Sequence, residues 1–346
     1  MEQENKSALI NVMIAGIGGA SLGTEIAKCL AVADRYNVYG CDISSTAYGL
    51  YNELFRETFH IDRENYIAGV IDACNRVKVE YLIAGGEQPM VLLAKARSEL
   101  HKNGIRLVAN SDDIVRLFSN KAATFERLAT AGVPIPRTSI ANGAEAVMSV
   151  GLPCIIKPST DSGGSASVFF AITVDEALVY SDFIRRSGGE PIAQEYIGVE
   201  EGEFTIGVLS LPDGSVAGSI ALRRTFDAKL SVAYRGRGGL VSSGYSQGHI
   251  DDYGHLRQQA EHIARETGSV GPLNIQGRVR DGVLIPFEIN PRFSASTYLR
   301  ALAGFNEVDI LLRFIDEGIR PEPPRIRPGW YLRSLSETYV AQEDLK

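Results

Sequence analysis

The sequence predicts an α/β domain wound around a parallel sheet, followed by a larger α+β region. Three observations carry that prediction. Residues from about 9 to 110 alternate short apolar strands with amphipathic helices, the pattern of βαβ units. After Ser111 the alternation stops and several strands follow one another directly. Near residue 280 two strand-like runs flank Arg280-Asp281-Gly282-Val283, the signature of an antiparallel hairpin.

The first domain opens with the strand Leu9-Ile-Asn-Val-Met-Ile-Ala-Gly16, which runs into Gly18-Gly19 and a helix through Leu30. Tyr36–Asp42, the run from Tyr81 and the run from Ile105 supply three more strands, with helices between. A helix from about Lys121 to Ala131 then stops at Gly132 and Val-Pro-Ile-Pro. Cys154–Lys157 reads as a strand, Ser167–Ala171 as another, and a helix starts at Val174. From Pro191 several strands precede a helix near 251–267, the hairpin, and further helices after Ala295. The last dozen or so residues are polar and read as a fraying tail.

Composition narrows the function classes. The 346 residues carry a net charge of -7, which disfavours broad nucleic-acid binding. Met1-Glu-Gln-Glu-Asn-Lys does not read as a signal peptide, and no apolar run approaches the ~20 residues that span a bilayer. Cys29, Cys41, Cys74 and Cys154 are scattered through apolar segments without a Cys-x-x-Cys pair. They read as buried, reduced thiols of a cytoplasmic enzyme. The five histidines show no metal-ligand spacing.

The most informative motif is Pro286-Phe-Glu288-Ile-Asn290-Pro-Arg292, taken with Gln276 across the hairpin. It gathers one carboxylate, two amide oxygens and a guanidinium. Hard cations such as Mg²⁺ take oxygen ligands and usually arrive with phosphate, which a guanidinium suits. Side chains alternate along a strand, so Glu288 and Asn290 share a face. A three-residue turn would bring Gln276 onto that face, whereas a two-residue Asp-Gly turn would put it on the other. A metal site therefore predicts an odd turn length.

Other motifs are weaker. Ile155-Ile-Lys157-Pro-Ser-Thr-Asp-Ser162-Gly163-Gly164-Ser165 places a lysine at a strand end before a loop suited to phosphate. The alternative is a plain Gly/Ser turn. Gln194-Glu195-Tyr196-Ile197 ends an apolar strand that could offer backbone groups to adenine, with Glu203 placed to accept from ribose. Arg223 and Arg235 lie in basic stretches suited to phosphate, to a carboxylate or merely to solvent. Gly16-Ile-Gly18-Gly19-Ala-Ser21-Leu-Gly23, with Asp42, approximates a dinucleotide fingerprint, but Ser21 stands where that pattern wants glycine. Any tight strand-to-helix turn needs such glycines.

Together, the lysine, the Gly/Ser loop, Gln194-Glu195 and Asn274-Ile-Gln276 … Glu288-Ile-Asn290-Pro-Arg292 resemble the ATP-grasp superfamily. The similarity is to one synthetase half of the carbamoyl phosphate synthase large chain and to smaller carboxylate–amine ligases, and it runs from about Asn11 to Ile315. It implies a Rossmann-like pre-ATP-grasp domain (1–112), then a two-subdomain ATP-grasp fold. The small subdomain would span 113–190, the large one with the metal site 191–330, and a tail 331–346. It further implies that Lys121, Lys157 and the 162–167 loop bind ATP phosphates. Gln194, Glu195, Tyr196 and Ile197 would line the adenine pocket, with Glu203 on the ribose. Gln276, Glu288 and Asn290 would ligate Mg²⁺ or Mn²⁺, and Arg292 would act with Lys157 on the transferring phosphoryl group. Arg223, Arg235 and Arg300 are candidates for orienting a substrate carboxylate.

The implied activity is an ADP-forming ligase that joins a small-molecule carboxylate to an amine, or to a thiol, through an acyl phosphate. An apolar first-domain surface points to a homodimer. The run after Arg292, Phe293-Ser-Ala-Ser-Thr-Tyr298, departs from the serine-rich run of carbamoyl phosphate synthase and suggests another acceptor. Competing readings are a partial subunit of that synthase type, a non-catalytic MgATP sensor and an NAD-dependent oxidoreductase.

Overall fold

The computed structural model describes residues 9–18, 22–159 and 167–346. The described chain divides into two compact units. The first takes residues up to Ala109, Asn306–Ile319 and Ser334–Lys346. Its elements are β1 (Ile10–Ala15), α1 (Leu22–Ala33), β2 (Tyr36–Asp42), β3 (Glu57–His60), α2 (Tyr66–Arg76), β4 (Tyr81–Ala84), α3 (Glu87–Lys95), α4 (Arg97–Lys102) and β5 (Arg106–Leu107). The strands form one parallel sheet in the order β3-β2-β1-β4-β5. Central β1 is buried from Val12 to Ala15, as expected of a parallel strand covered on both faces.

Four of these five strands follow the sequence pattern, but β3 does not. It lies at the sheet edge with only Thr58 and Phe59 buried between exposed Glu57 and His60, too short a run to register as periodic. The helix Glu307–Glu317 also belongs to this unit, held by Tyr36 Oη donating to Asp309 (2.7 Å) and Tyr81 Oη donating to Asp316 (2.7 Å). Near the end of the chain Lys346 Nζ donates to Thr58 O at 3.0 Å. All four cysteines are free and buried. Burial pushes the Cys154 thiol up to about 11 and that of Cys74 to about 12, which leaves both inert.

Gly16 and Gly23 are consumed by packing. Gly16 has φ +97°, and a Cβ on Gly23 would stand 2.0 Å from Gly16 O. Asp42, the candidate ribose acid, accepts from Ile17 N (2.8 Å) and Ser44 N (3.0 Å). Its oxygens therefore clamp the turn. Gly19 and Ser21 lie outside the described residues.

The second unit comprises Asn110–Phe305 and Arg320–Arg333. It begins with α5 (Asp112–Ser119) and α6 (Lys121–Thr130), the latter capped by the Asn120 side chain accepting from Ala123 N. A four-stranded sheet follows, in the order β6-β9-β7-β8, from β6 (Thr138–Ile140), β7 (Cys154–Pro158), β8 (Phe169–Ala171) and β9 (Pro191–Glu195). Helices α7 (Ala144–Val150) and α8 (Val174–Arg186) pack on it through Val147, Val150, Ala177 and Ile184. A capping box at Thr173 and Glu176 starts α8.

The larger sheet has the order β16-β15-β10-β11-β14-β17. It is built from β10 (Glu203–Ser210), β11 (Val216–Arg224), β14 (Gly248–Asp251), β15 (Pro272–Arg280), β16 (Val283–Asn290) and β17 (Gly329–Tyr331). A separate ribbon, β12 (Val232–Gly236) with β13 (Gly239–Ser242), precedes β14. Helix α9 (Gly254–Thr267) covers one sheet face, where Phe204, Ile206, Ile275 and Ile289 meet Leu256, Ala260 and Ile263. Each of the phenylalanine, leucine and isoleucine side chains contributes roughly 1.5–3 kcal/mol on burial. Strand alternation sends Glu203, Thr205, Arg224, Asn274, Arg278 and Asn290 to the other face, where they too are buried. Helix α10 (Thr297–Leu302) follows the hairpin. Among the described residues no helix is long and apolar enough to cross a membrane.

Candidate functional site

The hairpin reaches its predicted face by a different route. Arg280 pairs with Val283, so the Asp281-Gly282 turn has two residues and not three. An unbroken ladder would then set Gln276 opposite Phe287. Instead the register slips between Gln276 and Gly277, leaving Phe287 as an extra residue on β16, and Gln276 pairs with Glu288. The bulge supplies the residue expected in the turn. Asn274 pairs with Asn290, so all four polar residues share one face. Being the edge strand, β16 tolerates Pro286, which cannot donate to a ladder.

Gln276 Nε2 donates to Glu288 Oε2 at 2.9 Å, and Arg292 donates to Asn290 Oδ1 at 3.4 Å. Asn290 Nδ2 is buried without a hydrogen-bond partner among the described residues. A buried orphan amide beside a half-buried carboxylate is what an oxygen-rich ligand would satisfy. The donor set, one carboxylate and two amides, fits a hard divalent cation that brings phosphate with it. Among the described residues no cluster of three His, Cys, Asp or Glu offers an all-protein alternative.

Lys157, at the end of β7, reaches this hairpin. Its ammonium donates to Gln194 Oε1 (2.9 Å) and to the carbonyl of bulged Phe287 (3.1 Å). It is 6 % exposed. Burial, reinforced by the Lys121 ammonium, lowers its pKa to about 7, while Glu288 pulls the other way. Lys121, Lys157, Gln194, Gln276, Glu288, Asn290 and Arg292 are thus gathered by two sheets and α6. Ser162, Gly163, Gly164 and Ser165 lie outside the described residues.

The remaining candidates take different places. Burial pushes Glu195 up, but the Arg137 N–H and the Arg280 and Arg137 guanidinia more than offset it and hold the carboxylate below its usual range. The Tyr196 hydroxyl accepts from Leu240 N at 2.8 Å, and Ile197 O accepts from Arg278 at 2.6 Å. Glu203 is 0 % exposed, with one oxygen taken by Arg224 (3.1 Å) and the other by Arg278 (2.8 Å). A ribose contact from Glu203 would compete with both guanidinia. Arg300 is fully buried and donates to Asn274 Oδ1 (2.6 Å) and Thr205 Oγ1 (3.1 Å), which makes it a support for the polar face. Arg223 alternates onto the α9 side of β11 and is exposed, away from that face. Arg235 is exposed on the ribbon and donates to Phe226 O.

Sequence reasoning singled out Arg223 and passed over its neighbour Arg224, and it missed Arg278. The signal was available: Arg278 stands two residues from Gln276 on one strand, which places both on one face.

No family model matches the sequence. The carbamoyl phosphate synthase large chain of Saccharolobus islandicus is 23% identical over 326 residues, covering 89% of this chain and 30% of that protein. Its counterpart in Neisseria meningitidis is 25% identical over 215 residues, 61% of this chain and 19% of its own. The chain thus spans less than a third of these curated relatives. Among solved structures, the biotin carboxylase domain of Hydrogenobacter thermophilus 2-oxoglutarate carboxylase, a dimer in complex with MgADP and bicarbonate, aligns with TM-score 0.67 at 17% identity. That match covers 93% of this chain and 73% of that one. N5-carboxyaminoimidazole synthetase of Staphylococcus aureus gives 0.65 at 15% over 94% and 83%, and L-amino acid ligase of Bacillus licheniformis 0.65 at 14% over 89% and 74%. At these identities the structural matches show a shared fold.

Proposed function

The relatives and structural neighbours of this chain are ATP-grasp enzymes, and from that premise we propose that it is an ATP-dependent, ADP-forming ligase acting on a carboxylate and an amine. In this reading the first unit is the Rossmann-like pre-ATP-grasp domain, and the two sheets of the second unit are the ATP-grasp subdomains. A homodimer in the cytoplasm belongs to the same proposal. The observation that carries it is the bulged hairpin, which aligns Gln276, Glu288 and Asn290 and turns a carbonyl to Lys157.

A substrate carboxylate oxygen bonds to the γ-phosphorus of ATP as the bond to the bridging oxygen breaks, and ADP leaves with the electron pair. The amine nitrogen then adds to the acyl carbon, loses a proton and expels phosphate, which leaves an amide. Such chemistry rests on positioning and charge neutralisation, with no protein nucleophile. A divalent cation held by Gln276, Glu288 and Asn290 would neutralise phosphate charge. Lys157 and Lys121 supply point charges, with Gln194 fixing the direction of the Lys157 ammonium. Arg292 presents a planar fork beside Asn290 to the transferring group.

The test is an ADP-release screen over amino acids and small carboxylic acids, offered singly and in pairs with MgATP. Release that depends on an acid and an amine together supports the ligase. Nucleotide binding without substrate-dependent release would make the chain a sensor instead.

A further inference from the structure

The buried group Glu203–Arg278–Arg224 ties three separate segments to the polar sheet face. Arg278 spends all three edges of its guanidinium: Nε on Glu203 (2.8 Å), Nη1 on Ile197 O (2.6 Å) and Nη2 on Leu240 O (2.7 Å). Its Cζ lies over the Tyr196 ring, 4.7 Å from the centroid. Tyr196 is tied to the same ribbon residue, since its hydroxyl accepts from Leu240 N. Arg224 takes the other Glu203 oxygen and reaches Ser243 O (2.7 Å) and Tyr245 O (3.1 Å) beyond the ribbon. Only a planar fork can serve three such acceptors at once and stack on an aromatic face, so lysine is no substitute.

We propose that Arg278 is a positioning residue that fixes the peptide plane after Ile197 and so sets which nucleobase the site accepts. The inference rests on the ligase reading, in which Glu195–Ile197 line the base pocket. In a trans peptide the N–H points opposite to the C=O. Holding Ile197 O on Arg278 therefore aims the Gly198 N–H the other way. Adenine and guanine present opposite donor–acceptor orders on their pairing edges. A backbone locked in one orientation matches one of them and leaves the other with unpaired polar groups. With both Glu203 oxygens held by guanidinia, selectivity comes from the fixed backbone and not from that carboxylate.

The experiment is calorimetric titration of the wild type and of Arg278→Lys, Arg278→Met and Tyr196→Phe with MgADP and with MgGDP. The wild type should prefer MgADP by about tenfold or more, the scale of one well-placed hydrogen-bond pattern. Arg278→Lys and Arg278→Met should weaken MgADP by about tenfold and leave MgGDP within about twofold, collapsing the preference. Tyr196→Phe removes a single hydroxyl and should shift the ratio the same way by about threefold, which keeps the test decisive if the arginine variants do not fold. Equal weakening of both nucleotides, an unchanged ratio or a wild type without preference would overturn the proposal. A wild type that binds neither nucleotide would sink the ligase reading itself.

Discussion

Two stretches of this chain look like nucleotide sites in sequence, and the fold treats them in opposite ways. In the first stretch Gly16 and Gly23 are used for close packing and Asp42 is used by the backbone it borders. In the 274–292 hairpin, strand alternation and one bulge turn Gln276, Glu288 and Asn290 to one face and leave an amide nitrogen there without a partner among the described residues. A motif becomes a site when the fold leaves its polar atoms unspent. Spacing alone does not reveal that, because glycine-rich turns and oxygen-rich strands serve architecture as readily as chemistry.

The comparison can be tested from both sides. Glu288→Gln should lower metal-dependent ADP release by about a hundredfold or more, about 3 kcal/mol of transition-state stabilisation, with thermal unfolding unchanged. Turnover near normal would remove Glu288 from the cation site. A smaller effect is expected from deleting Phe287. The deletion lets β16 pair regularly with Gln276 still opposite Glu288, so metal dependence should persist while nucleotide affinity falls about tenfold with the loss of the Lys157 acceptor. Lost metal dependence would show that the bulge does more than set register.

Proton coupling sharpens the lysine's part. Burial lowers the Lys157 pKa from the ordinary lysine value of 10.5 to about 7, so between those values the unfolded chain binds the extra proton and stability rises with pH. Phosphate near the ammonium favours the charged form. At pH 8, MgADP binding should therefore take up about one proton, read from calorimetry in buffers of different ionisation enthalpy. Lys157→Met should abolish the uptake; an unchanged value would assign the proton to another group. The smallest effect belongs to the other stretch. Asp42→Asn should cost about 1 kcal/mol of stability through the lost acceptor and leave the ADP-release rate at its wild-type level.

Much of the architecture was legible because it rests on local periodicity. Tyr36–Asp42, Cys154–Lys157 and the helix from Val174 follow directly from apolar spacing and capping residues. The helix Glu307–Glu317 was legible as a helix, but its unit was not, because Tyr36–Asp309 and Tyr81–Asp316 join residues more than two hundred positions apart. The face shared by Gln276, Glu288 and Asn290 was predicted, yet the means was not. A bulge and a longer turn add the same single residue, and sequence does not say where it goes. Arg278 escaped notice, and Arg224 was read only as part of a basic stretch, because an arginine's default place is the surface, and the buried Glu203 between them reverses that expectation.

That ambiguity of placement has a consequence for how the chain can change. Had the additional residue gone into the Asp281-Gly282 turn, the oxygen donors would align just as well, but no kinked carbonyl would stand ready for the ammonium. Placing that residue at the bulge, and not in the surface turn, is therefore what gives a lysine 130 positions upstream its carbonyl.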